Sequence, residues 1–329
     1  MLPYDGSILH SNRTESNTYT SFYDIFWQKA RKKDMKKYVF DKQLKIRVKP
    51  IFCKWLFPFA NALIRILPKG LDKRKVTYQK GRAAGSRFHI LTPKEATKKP
   101  LPCVFYIHGG GFAYCQSPHQ YRLEQAYCTG AKCMIFSVDY PLSPKATYPK
   151  AVDVLFDAYL YMLNYAEKLG VDATKIVVAG DSAGGSLALD LIAMISKYEL
   201  SAPKGLMAIY PVVDAAQNTE SMRKFYDTPL WNSRCNAKMW KWYLKGKPYQ
   251  SPLSRPEEFR TKYLFVETEE YDCLRDEGAA LFDLLSPHAE YAQLRQNKHT
   301  FHGFDVNFGA ETTQKAVAER VDFLTRCFS

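Results

Sequence analysis

Several features that would settle the class of this chain early are missing from it. None of its eight cysteines forms a Cys-x-x-Cys pair or a Cys/His grouping of zinc-module spacing. That excludes a small disulfide scaffold and a zinc finger, and predicts free thiols in a reducing, cytoplasmic setting. Long apolar runs are scarce: the longest stretch, Ile51 to Leu67, carries Lys54, Asn61 and Arg65. It falls short of the ~20 apolar residues that cross a bilayer. Met1 to Thr20 is polar and lacks the basic-then-apolar order of a secretory leader, so the Asn12-Arg13-Thr14 glycosylation sequon is expected to be silent. Internal repeats, low-complexity tracts and nucleic-acid-binding modules are absent too, and no nucleic-acid partner is expected.

What is present begins with enough hydrophobic sequence for a full globular core, 46% of 329 residues against 24% charged. Acidic residues are in deficit, and the imbalance is local. Residues 1–75 hold 17 Lys and Arg against 6 Asp and Glu, a net +11 out of the chain's +14. Within this arm Arg31, Lys32, Lys33, Lys36 and Lys37 lie beside Phe26 and Trp27. Such a cluster suits a solvated helix face or peripheral contact with an anionic membrane.

From Val76 onward, short β-branched or aromatic runs alternate with helical patterns, the order that builds a mostly parallel sheet flanked by helices, an α/β fold. Val76–Gln79 and Arg87–Leu91 read as an opening hairpin. Cys103–Ile107, Cys133–Val138, Ile176–Val178, Leu206–Ile209, Tyr263–Glu267 and Glu290–Leu294 read as further strands. Helices are predicted over Pro149–Leu169, Ala183–Ile195 and Glu277–Leu285. Two segments fit the alternation poorly: the arm, residues 1–75, and an aromatic, proline-containing insertion, about 214–259. Both are read as additions to a catalytic domain spanning 76–329, together forming one cap. Trp231, Trp240, Trp242 and Tyr243 of the insertion suit core packing and pocket lining equally.

The chemistry is carried first by Ile176-Val177-Val178-Ala179-Gly180-Asp181-Ser182-Ala183-Gly184-Gly185, an apolar strand running into Gly-x-Ser-x-Gly and straight into a helix. Small residues at Gly180 and Gly184 permit the tight turn that lifts Ser182 Oγ clear of the sheet. The helix beginning there offers free N–H groups to a developing negative charge. A phosphate cradle would need a Lys beside the serine or Gly-x-Gly-x-x-Gly spacing, and neither is present. Earlier, His108-Gly109-Gly110-Gly111-Phe112 follows a strand. Consecutive glycines let a backbone turn its N–H groups toward a substrate oxygen, so Gly110, Gly111 and Ala183 are the candidate oxyanion donors. His108 reads as support for that loop.

These motifs resemble those of the hormone-sensitive lipase family of α/β-hydrolases, in which a His-Gly-Gly-Gly loop accompanies a Gly-Asp-Ser-Ala-Gly-Gly elbow. Asp139-Tyr140-Pro141-Leu142-Ser143-Pro144, Tyr271-Asp272-Cys273-Leu274-Arg275-Asp276-Glu277-Gly278 and His302-Gly303-Phe304 are similar to three further family segments, so the likeness covers about residues 76–329. The resemblance implies an eight-stranded α/β-hydrolase fold with a helical cap and hydrolysis of small acyl esters without a cofactor. It departs at Lys145, where the family carries an acid, at Pro141 in place of Arg, and at Cys273 in place of Pro.

Asp272 follows the predicted strand Tyr263–Glu267 by a short loop, and the order Ser182, Asp272, His302 is the one this fold uses. Glu267, Glu269, Glu270 and Asp276 compete for the acid's role; Asp276 opens the next helix, where acids commonly cap. His299 competes with His302 for the base. The two histidines lack a third ligand of suitable spacing, so no metal is expected. A short- to medium-chain carboxylesterase is the leading expectation. An amidase or deacetylase with the same triad, a lipase docked on lipid through its basic arm, and a non-catalytic ligand-binding homologue remain open beside it.

Overall fold

A computed structural model describes residues 37–83, 85–96 and 99–329. The basic cluster up to Lys36, its aromatic neighbours and the sequon lie outside the described residues. Lys37 is described, and its ammonium pairs with Asp227 at 2.9 Å.

The opening hairpin pairs β1 (Val76–Ala83) with β2 (Ser86–Pro93), Val76 opposite Pro93 and Ala83 opposite Ser86. With β3 (Leu101–Ile107), β4 (Met134–Val138), β5 (Val171–Asp181), β6 (Gly205–Ile209), β7 (Tyr263–Glu269) and β8 (Tyr291–Asn297) it forms one eight-stranded sheet. The spatial order is β1-β2-β4-β3-β5-β6-β7-β8. β2 runs antiparallel to β4, and every pair from β4 to β8 is parallel.

The described helices of the α class are α1 (Phe57–Ile66), α2 (Pro118–Gly130), α3 (Lys150–Asn164), α4 (Ala166–Leu169), α5 (Ala183–Lys197), α6 (Glu220–Lys224), α7 (Ser233–Leu244), α8 (Arg275–Leu285) and α9 (Glu311–Phe328). The strand period of two sorts them into layers. Cys103, Phe105 and Ile107 of β3 bury into the core shared with α3, α5 and α8, while Val104 and Tyr106 bury into the core shared with α2 and α9. Both faces of the central strands are therefore covered, which is why they read as continuous apolar runs.

Some boundaries differ from the sequence reading. The helix predicted over Pro149–Leu169 breaks at Tyr165 (φ −112°, ψ 18°), and its remainder ends at Gly170 in the left-handed region (φ 78°). β5 begins at Val171 because Leu101 pairs with it across a register shift before the regular ladder from Cys103 and Ile176. Helices α2 and α9 were not foreseen. In α2 the buried face is largely polar or aromatic, with Gln120, Tyr121, Glu124 and Tyr127, and in α9 the apolar stripe is interrupted by buried Arg320.

Topology places the site. From β3 the chain moves outward to β4 and then returns to β5 on the other side of β3. The loops leaving β3 and β5 therefore part in opposite directions and open a crevice at the carboxyl ends of the strands. Beside it, Phe52 packs edge-on against Trp231 at 5.1 Å and stacks on Trp242 at 5.2 Å. Tyr38 meets Phe225 at 6.0 Å.

Candidate active site

Between Asp181, the last residue of β5, and Ala183, the first of α5, Ser182 alone makes the turn, at φ 56° and ψ −121°. A non-glycine residue holds that conformation only when its surroundings impose it. Here they leave no room to relax: a Cβ on Gly180 would lie 2.2 Å from the Gly184 oxygen, and one on Gly184 only 2.0 Å from the Ile107 oxygen. Close approach of β3, the elbow and α5 thus explains both glycines.

Ser182 Oγ lies 2.8 Å from His302 Nε2, and His302 Nδ1 lies 2.7 Å from Asp272 Oδ2. All three residues are buried. The other Asp272 oxygen accepts from the Leu274 N–H at 3.0 Å, which fixes the carboxylate's orientation. The competing acids are engaged elsewhere. Glu267 accepts from Arg320 Nε at 2.8 Å, Glu270 from the His299 N–H at 2.6 Å, and Asp276 from the Ser221 N–H at 2.7 Å. Glu269 accepts from Thr300 Oγ1 at 2.6 Å; burial, with Glu267 nearby, pushes its pKa well above the usual carboxylate range. The competing base His299 is exposed, its Nδ1 3.0 Å from the Val39 carbonyl.

Gly110 and Gly111 occupy positive φ, at 117° and 59°. Their N–H groups have no acceptor among the described residues, and the Ala183 N–H belongs to the first helical turn, where donors lack intrahelical partners. His108 is buried, stacked on Tyr140 at 4.4 Å, and burial lowers its pKa. Tyr140 Oη also donates to the His108 carbonyl at 2.8 Å. Of the positions that depart from the family pattern, Lys145 is exposed, while Cys273 is buried with its carbonyl accepting from Ser221 Oγ at 2.9 Å.

Three supports escaped the sequence reading. Asp181 accepts from the Gly109 N–H (2.9 Å), Tyr106 Oη (2.6 Å) and Gln120 Nε2 (2.8 Å), so one carboxylate ties the glycine loop, β3 and α2 to the elbow. Its place inside Gly-x-Ser-x-Gly was the available signal. Second, Arg320 is fully buried between Glu267 and Asp305, and Asp305 accepts from Tyr210 Oη at 2.9 Å. The Tyr210 ring in turn packs edge-on against His302 at 4.7 Å. Third, residues 38–48 bind the histidine loop: the Asp41 N–H donates to the His299 carbonyl at 2.9 Å, and Phe40 packs on Phe301 at 5.1 Å. No sequence signal announces that strap.

Ser182, His302, Gly110 and Gly111 open into one cavity of about 300 Å³. Leu56, Ala60, Leu63, Ile64 and Leu67, from α1 and its flanks, give the cavity an aliphatic lining. Among the described residues no group of three or more His, Cys, Asp or Glu could hold a metal, and no helix is long and apolar enough to cross a membrane.

A doubly covered sheet with a serine elbow at its switch point defines a class, and comparison with known proteins gives the family. The family model described as the alpha/beta hydrolase fold matches residues 104–306, and the chain belongs to that family. Carboxylesterase NlhH of Mycobacterium tuberculosis is 29% identical over 234 residues, 66% of this chain and 72% of that protein. Hormone-sensitive lipase of Mus musculus is 32% identical over 158 residues, 48% of this chain but only 21% of the lipase. Among solved structures, a bacterial heroin esterase superposes with a TM-score of 0.77 at 27% identity, covering 88% of this chain and 98% of that one. The chain is an enzyme of the serine hydrolase, esterase type.

Proposed function

We propose that the protein is a carboxylesterase acting on short- to medium-chain acyl esters, with Ser182 as nucleophile, His302 as base and Asp272 as the acid that orients it. The observation that carries this reading is the unbroken relay from Asp272 through His302 to Ser182, opening into the cavity. His302 Nε2 takes the Ser182 proton as Oγ attacks the ester carbonyl, while Asp272 holds the tautomer and offsets the imidazolium charge. The N–H groups of Gly110, Gly111 and Ala183 receive the oxyanion, a kind of contact worth ~3 kcal/mol in other enzymes. The alcohol leaves with the proton from His302. Water activated by the same histidine then releases the acid and restores Ser182.

The motifs and the partial match to hormone-sensitive lipase support placing the chain in that branch of the α/β-hydrolases. We assign residues 76–329 to the catalytic domain, and to the cap both the N-terminal arm and the insertion at about 214–259. The aliphatic wall from α1 favours an apolar acyl group. Hydrolysis of p-nitrophenyl esters from acetate to dodecanoate tests the reading. Wild-type turnover abolished in Ser182→Ala is the expected result; a folded wild type that turns over no ester removes its support, and anilides of the same acids then test the amidase reading.

One observation favours a second reading, a lipid-surface enzyme. Trp55, Phe59 and Ile66 are 70%, 74% and 79% exposed, and Phe59 also lines the cavity. Lys54 and Arg65 accompany them on a strongly basic arm. Salt-sensitive sedimentation with phosphatidylserine vesicles, lost on Trp55→Ala with Phe59→Ser, is the result this reading requires.

A further inference from the structure

Most polar groups lining the cavity are already committed. Tyr114 Oη donates to the Ile51 carbonyl at 2.6 Å, and Tyr210 Oη to Asp305 at 2.9 Å. His119, half-buried near the start of α2 and lining the same cavity, is different. Its Nδ1 lies 2.8 Å from Ser117 Oγ, and its Nε2 has no partner among the described residues.

The hydrogen bonds of Gln120 assign the protons around this ring. Gln120 Nε2 donates to Asp181 Oδ2 at 2.8 Å, and the Ser117 backbone N–H donates to Gln120 Oε1 at 2.9 Å. Flipping that amide would set donor against donor and oxygen against carboxylate. Gln120 Oε1 therefore only accepts, and its 3.1 Å contact with Ser117 Oγ uses the serine's one proton. With the serine proton assigned to Gln120, the 2.8 Å contact is donated by Nδ1–H. Burial holds the imidazole pKa below its ordinary value, so near neutral pH this is the ring's single proton. Nε2 is left as a bare acceptor on a residue that lines the cavity together with the aliphatic side chains of α1.

We propose that His119 Nε2 recognises substrate by accepting a hydrogen bond from a hydroxyl or N–H group that the ester carries away from its scissile bond. The inference rests on the esterase reading and refines it: preferred substrates are hydroxylated or N–H-bearing esters.

Three matched pairs test this by kcat/KM. Glyceryl monobutyrate against propyl butyrate places the donor in the alcohol, ethyl 3-hydroxybutyrate against ethyl butyrate places it in the acyl chain, and ethyl N-acetylglycinate against ethyl 4-oxopentanoate replaces a methylene by N–H. The wild type is expected to favour the donor-bearing member of at least one pair about tenfold, a value typical of one hydrogen bond. In His119→Phe that preference should collapse, with the apolar member changed less than about twofold. His119→Gln, which retains a carbonyl acceptor, should keep part of it. Ser117→Ala, which frees the ring to exchange tautomers, should weaken the same preference and serves if His119→Phe does not fold. A wild type without preference in any pair overturns the inference alone, as does an equal loss on both members in a folded His119→Phe. Turnover of none of these esters sinks the esterase reading and this inference with it.

Discussion

The two sides of the cavity are held in place by different forces. On one side, which the proposed mechanism makes the reacting one, Ser182, Asp272 and His302 sit buried beyond the ends of β5, β7 and β8, and each is fixed by directional bonds. Elsewhere along the lining, α1 offers an aliphatic surface held largely by aromatic packing, such as Phe57 against Trp242 at 5.8 Å. One polar residue ties it down: buried Asn61 donates to the Ala113 carbonyl at 2.9 Å and accepts from the Cys115 N–H at 2.8 Å. Proton transfer tolerates errors of only a few tenths of an ångström, so its groups hang on the sheet. Selection among apolar chains tolerates far more, and a helix seated by non-directional contacts is sufficient for it.

This contrast predicts a descending series of effects. Ser182→Ala should lower kcat on a butyrate ester by roughly 10⁵–10⁶-fold with an unchanged circular dichroism spectrum. Asp272→Asn preserves the geometry but favours the wrong imidazole tautomer, and should cost about 10⁴-fold in kcat. Arg320→Leu leaves Glu267 and Asp305 buried without their counter-charge; urea unfolding should show a loss of about 3–5 kcal/mol. If the folded variant also turns over slowly, the Tyr210 contact positions His302 as well as supporting it. Leu63→Ala in the aliphatic lining should raise KM for an octanoate ester up to about tenfold while leaving the acetate ester and kcat nearly unchanged. An equal fall in kcat for both esters would mean that the wall also positions the reacting groups.

How much of this was legible follows the same divide. The elbow could be read because strand, tight turn and helix leave a local signature around Ser182, and the glycine loop could be read because few other structures need three glycines in a row. Choosing Asp272 over Glu267 or Glu269 relied on loop position. In the structure the others are bound to Arg320 and Thr300, partners remote in sequence. Helix α2 was missed because its buried side is made of Gln120, Glu124 and tyrosines rather than aliphatic residues. Helix α9 does carry helical spacing through Val317, Arg320, Phe323, Leu324 and Cys327, but an arginine in the stripe disguises it. The apolar stretch from Ile51 was read as part of a cap. Only tertiary packing shows that α1 lines the cavity into which Ser182 opens.

The pairing of β3 with β5, in which Ile107 stands opposite Gly180, has a consequence for how the protein comes alive and fails. Nothing local holds the glycine loop beside the serine; the two meet only after strands distant along the chain have zipped together, a slow kind of contact in folding. On the proposed mechanism, an emerging or half-folded chain thus holds Ser182 apart from His302, Gly110 and Gly111, and is chemically inert. Once folded, hydrolysis reports on the middle of the sheet. Fraying of β1 at the edge should pass unnoticed by a substrate, whereas a brief opening of the β3–β5 seam should silence the enzyme before hydrogen exchange or proteolysis registers global unfolding.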